Sequence, residues 1–122
     1  MTQEEKSLLL KDLCARLPYN VVCQFKDDIR LIDGIKRPYY DYVLSERHIE
    51  LFRNHKGFYI KPYLRPMSSM TEEENEEYIK MNLYGTHWGF VDWCNSRHLD
   101  FRGLIPKGLA IEVSEENNPY KE

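Results

Sequence analysis

Residues 19–66 read YNVVCQFKDDIRLIDGIKRPYYDYVLSERHIELFRNHKGFYIKPYLRP, and the period of this stretch decides the fold. Val21-Val22-Cys23-Gln24-Phe25 and Ile29-Arg30-Leu31-Ile32 flank Lys26-Asp27-Asp28, a short polar connection suited to a hairpin. Tyr39 to Leu44 is aromatic and β-branched. Ile49 to Phe52 and Phe58 to Leu64 flank Asn54-His55-Lys56-Gly57, where Gly57 can supply a positive φ to the turn. Bounded by Gly34, Pro38 and Pro66, the stretch predicts about five short strands in a bent antiparallel sheet or a small, partly open barrel.

On either side the period turns helical. Thr2 and Glu5 have the spacing of a capping box, and Leu9, Leu13 and Leu17 form an apolar stripe with Leu10 and Cys14 beside it. Pro18 disfavours helical backbone at Leu17, so this helix, within 1–18, closes near Arg16. Thr71 and Glu74 repeat the box ahead of Glu76 and Glu77. That acidic run reads as a helix start on a solvated face, with Tyr78, Ile79, Met81 and Leu83 on the buried side. Gly85 breaks the helix and Thr86 or His87 opens another, whose Trp88, Phe90, Val91, Trp93 and Cys94 read as core packing. A turn and short helix over 98–105 follow, with Asp100 as cap and Arg102 pairing with it or with helix-end carbonyls. Leu109 to Val113 is a possible last strand, and residues 114–122 read as a frayed tail. The predicted class is α+β: one domain with an N-terminal helix, a sheet over 19–66, and two or three helices within 67–113.

Composition narrows function by exclusion. With 122 residues, 42% apolar and 30% charged, the chain supports one core and is not a disordered or low-complexity segment. The net charge of −3 argues against a dedicated duplex-DNA binder. The charge is uneven: 24–66 carries nine bases against six acids, and 67–122 five bases against eleven acids. Three cysteines without a C-x-x-C pair make no disulfide framework, so Cys14, Cys23 and Cys94 read as small apolar residues in a reducing setting. An acidic, polar start without a signal-peptide pattern, and no apolar run near 20 residues, lead to the expectation of a cytoplasmic protein without a membrane span.

Candidate chemistry is sparse. Cys94, His98 and Asp100 could form a nucleophile, base and orienter. Cys94 and His98, with Asp100 two residues on and His48, His55 or His87 from elsewhere, could contribute to a metal site. Both sets crowd into too short a segment or need distant partners, and the glycines form no phosphate-binding loop. No catalytic residue, metal or cofactor is assigned. The basic, tyrosine-rich region from Pro38 to Arg65 points to binding instead. Tyr40, Tyr42, Arg53, Tyr59, Tyr63 and Arg65 are the candidate contacts for a protein partner, since tyrosine and arginine concentrate in interface hot spots. The alternative is single-stranded nucleic acid, with bases stacked on Tyr39, Tyr40, Tyr42, Phe58, Tyr59 and Tyr63 between Arg30, Lys36, Arg37, Arg47, Arg53, Lys56, Lys61 and Arg65.

Three segments carry a resemblance. Lys11-Asp12-Leu13-Cys14-Ala15-Arg16-Leu17-Pro18-Tyr19, the run from Lys61 to Glu73, and Asp100 to Ile105 with Gly108-Leu109-Ala110 resemble parts of small uncharacterised proteins encoded by gut anaerobic bacteria and their prophages. The resemblance implies an accessory or mobile-element gene in a bacterium. It brings no activity, cofactor or catalytic residue with it.

Overall fold

The first helix, α1 (Gln3–Arg16), starts where the capping box places it: the Thr2 hydroxyl accepts the Glu5 N–H at 3.1 Å, and Glu5 Oε1 accepts the Thr2 N–H at 2.8 Å. A single 3₁₀ turn, Leu17–Tyr19, follows at Pro18, and Asn20 takes left-handed backbone (φ 57°) to turn the chain into the sheet. The computed structural model describes residues 1–27, 39–55 and 58–120 of the chain. The predicted strand at Ile29 to Ile32 and the glycines Gly34 and Gly57 lie outside these.

Within them the fold is α+β, with an open sheet of four strands in the order β2-β1-β3-β4. Strand β1 (Val22–Asp27) pairs antiparallel with β2 (Tyr40–Val43) and with β3 (Phe58–Leu64). Strand β4 (Ile111–Glu112) lies parallel to β3 at Tyr63 and Leu64, so the sheet is mixed rather than wholly antiparallel. Cys23, Phe25, Phe58, Ile60 and Leu64 point to the inner face. There they bury against Leu9 and Leu13 of α1 and Ile49 and Phe52 of α2 (Glu46–Asn54). Each of the phenylalanine, isoleucine and leucine side chains contributes about 1.5–3 kcal/mol on burial.

Helix α2 corrects the expectation of a strand at Ile49 to Phe52. Residues three apart face opposite ways on a strand but lie on one side of a helix, so only the helix lets both reach the core. Ser45 caps it, with the His48 ring nitrogen Nδ1 3.1 Å from the Ser45 backbone nitrogen. The predicted hairpin between that segment and β3 is therefore a helix-to-strand connection.

Amide direction in the sheet is set by a few bonds. Leu44 N–H donates to the Val21 carbonyl at 2.9 Å, so the odd-numbered amides of β1 turn to β2 and the even-numbered ones to β3. In β3 the amides of Tyr59 and Lys61, opposite Lys26 and Gln24, turn to β1, while those of Phe58 and Ile60 turn away. Pro62 falls on the side away from β1, where its missing N–H costs the β1–β3 ladder nothing. Next to the Cys23–Pro62 pair the Tyr120 hydroxyl enters between the strands, accepting the Val22 N–H (3.0 Å) and donating to the Tyr63 carbonyl (2.7 Å). Within the tail expected to fray, Tyr120 is thus tied to the sheet by a part-buried polar bridge, while residues 114–118 are exposed.

Helices α3 (Glu72–Tyr84) and α4 (His87–Ser96) complete the fold, separated at Gly85 as expected. The Thr86 hydroxyl accepts the Gly89 N–H at 3.0 Å and starts α4. Val91 and Cys94 are buried. Trp88 is 74% exposed, which corrects its reading as core. It belongs to the first turn of α4, before the buried stripe begins. Trp93 is half-buried, with its indole N–H on Glu77 at 2.8 Å. The 98–105 segment is a run of turns. Asp100 accepts the N–H groups of Leu104 and Ile105 (2.8 and 2.9 Å), whereas Arg102 reaches Asp12 and not Asp100.

Candidate protein-binding surface

Strand alternation places Val22, Gln24 and Lys26 of β1 on the face opposite α1 and α2, beside Tyr59, Lys61 and Tyr63 of β3 and Asp41 of β2. Hydrogen bonds run across it: the Tyr63 hydroxyl donates to Asp41 (2.8 Å) and the Tyr59 hydroxyl to Gln24 (3.3 Å). Tyr39 meets Tyr59 edge-on with centroids 5.1 Å apart. The Lys26 ammonium stands 5.0 Å from the Tyr39 ring centre and the Lys61 ammonium 5.5 Å from that of Tyr59. Burial, with Tyr39 adding to it, pushes the Tyr59 phenol up to about 12. Burial and the hydrogen bond to Asp41 do the same for Tyr63, so both are neutral donors near neutral pH.

Of the six sequence-predicted contacts, the structure brings together Tyr59 and Tyr63 on this face. Tyr40 and Tyr42 sit opposite Phe25 and Cys23 in register and belong to the inner side. There Tyr40 stacks on Phe25 (5.4 Å) and Tyr42 lies edge-on to His48 (6.5 Å), both at the rim. Arg53 is carried by α2, away from the sheet face. Arg65 is engaged by Glu74 through two hydrogen bonds, of 2.6 and 2.9 Å. Lys26 and Gln24 were not among the predicted contacts, and Tyr39 was named only among the rings for nucleic-acid stacking. The alternation of Cys23 and Phe25 with Gln24 and Lys26 was the signal that could have found the first two.

A groove of about 580 Å³ borders the face along β3, between the start of α1 and the end of α2, with Lys6, Phe52, Phe58, Ile60 and Lys61 in its wall. A second hollow, about 480 Å³, lies between α1 and α2 with Cys14, Glu46, Glu50 and Arg53 in its wall.

The buried polar groups form a separate cluster under α1. Arg16, fully buried, donates to Asp12 Oδ2 (2.8 Å) and to the Leu99 carbonyl (2.6 Å), and Arg102 donates to Asp12 Oδ1 (2.8 Å). Burial pushes the neighbouring Cys94 thiol up to about 11, so it is no thiolate near neutral pH. His98 stacks on Tyr120 at 3.9 Å, and burial aided by Arg16 and Arg65 holds it down to about 4. With both Asp100 oxygens on backbone amides, no hydrogen bond among the described residues joins Cys94, His98 and Asp100 to one another. Nor do the described residues contain a group of three His, Cys, Asp or Glu placed to hold a metal ion. No helix among them is long and apolar enough to cross a membrane.

The chain matches no protein-family model, no curated protein and no solved structure.

Proposed function

We propose that this chain is a non-enzymatic accessory protein of a bacterial mobile element or prophage. In this reading it works in the cytoplasm by binding another protein across the outer face of β1 and β3. The observation that carries the reading is the bracing of Tyr39 and Tyr59 against each other and against Lys26 and Lys61, on the side of the sheet away from α1 and α2. Side chains held this way lose little rotamer freedom on contact, which lowers the entropic cost of association. Tyrosine also combines a large apolar area with a hydrogen-bonding tip. Single-stranded nucleic acid fits the same face less well. Each lysine already covers a tyrosine ring, so a stacking base would have to displace an ammonium, and the whole chain carries −3.

The test compares immobilised wild-type, Tyr59→Ala/Lys26→Glu and Arg53→Ala chains for the proteins they retain, with labelled single-stranded oligonucleotides titrated in parallel. A protein retained by wild type and by Arg53→Ala, but lost with the double variant, is the expected result. Equal retention by all three, or salt-sensitive oligonucleotide binding that the double variant abolishes, overturns the reading.

A further inference from the structure

Granted the protein-binding reading, on which this step rests, we infer that the unpaired half of the β3 edge takes an added strand: an extended, acidic segment of the partner laid beside Phe58–Ile60. Strand β4 covers β3 only at Tyr63 and Leu64. The N–H and C=O groups of Phe58 and Ile60, turned away from β1, therefore have no strand partner among the described residues. The groove of about 580 Å³ runs along this same edge.

Its walls state what fits. Phe52, Phe58 and Ile60, each nearly fully buried, supply an apolar floor. Lys6, 5.3 Å from the centre of the Phe52 ring, and Lys61 supply positive charge at the rim, and among the described residues no aspartate or glutamate lines the groove. A strand edge offers donors and acceptors in alternation. A phosphate backbone, which only accepts, satisfies half of it; a peptide backbone satisfies both. Alternate side chains of an added strand then face the apolar floor and the lysine rim in turn. Pro62 presents no donor on this side, which limits the added strand to about four residues, roughly 13 Å.

The probe is a fluorescein-labelled, end-blocked Val-Glu-Val-Glu-Val-Glu peptide, with its Val-Lys counterpart as control. Fluorescence anisotropy should show saturable binding of the acidic peptide alone, weaker at higher salt, and reduced about tenfold or more in a Lys6→Glu/Lys61→Glu chain. Amide exchange by NMR supplies the backbone readout. The Ile60 N–H should exchange fast in the free protein and at least about tenfold more slowly with peptide bound, while the Tyr59 N–H stays protected throughout. Equal binding of the two peptides, an Ile60 amide already protected without peptide, or an exchange rate unchanged by binding each overturn strand addition. Peptide binding that shifts Tyr39 and Tyr59 resonances but leaves Ile60 exchange unchanged overturns it while the outer-face reading stands. Retention of a natural partner unaffected by Tyr59→Ala/Lys26→Glu removes that reading instead.

Discussion

Helices α1 and α3 start alike: Thr2 and Thr71 each accept the amide N–H of a glutamate three residues on, at 3.1 Å in both. The glutamates return the bond, from Glu5 to Thr2 N–H at 2.8 Å and from Glu74 to Thr71 N–H at 3.1 Å. From there they diverge. α1 buries Leu9, Asp12, Leu13 and Arg16, while α3 has no buried residue. α3 is held from its polar side instead. Glu74 engages Arg65 and Arg97, Glu77 engages Arg97 and the Trp93 indole, and Tyr78 meets Phe90 edge-on at 5.5 Å. A capping motif thus fixes where a helix begins, and the neighbouring surface decides which force holds it.

The contrast can be broken in four places. Asp12→Ala should have the largest effect, about 3–5 kcal/mol in chemical denaturation, because it leaves the buried Arg16 charge uncompensated. A loss below about 1 kcal/mol would show that α1 does not depend on this pair. Leu13→Ala should follow at about 2–5 kcal/mol, since Leu13 is fully buried and its removal leaves a cavity.

Glu74→Gln should cost about 1 kcal/mol, and less in high salt, as expected of an ion-pair network near the surface. Its pH dependence has a definite sign. The Arg65 hydrogen bonds hold the Glu74 carboxyl down to about 2 from an ordinary 4.5, so the folded chain takes up this proton less readily than the unfolded one. The advantage of wild type over Glu74→Gln is complete above about 4.5 and closes as the pH falls towards 2. His98, held neutral down to about 4, weakens both chains equally as the pH drops from 6.5. Subtracting the two denaturation curves isolates Glu74. A difference that does not change with pH would mean that the ion pairs do not anchor α3. Smallest of all, Leu83→Ala in α3, where the side chain is 67% exposed, should change stability by less than about 0.5 kcal/mol. A larger loss would point to burial that α3 does not show.

Local readings of the chain fared according to how local their physics was. Both threonine–glutamate boxes, the closure of α1 near Arg16 and the break at Gly85 follow from backbone chemistry within four residues, and each stands where it was expected. The segment Ile49 to Phe52 misled because four apolar-rich residues are too few to separate the two periods by eye, although the odd spacing of Ile49 and Phe52 already favoured a helix. For the proposed binding face, the tyrosines were visible but their sides were not. Tyr40 and Tyr42 go to the inner side because β2 pairs with β1 in the register that sets them opposite Phe25 and Cys23.

What the sequence determined by itself is the α+β class, the helix starts, the thiols as apolar filler at Cys23 and Cys94, though not at Cys14, which is exposed on α1, and a tyrosine-rich, locally basic middle. Only the tertiary structure decided the parallel pairing of β4, the edge at Phe58 and Ile60 that no strand among the described residues covers, the Tyr120 hydroxyl between β1 and β3, and the exposure of Trp88. The physical reason is range. Caps, breaks and amphipathic stripes are settled by bonds a few residues long. An edge is open or closed, and a tryptophan wet or dry, according to segments tens of residues away whose approach leaves no periodic trace along the chain.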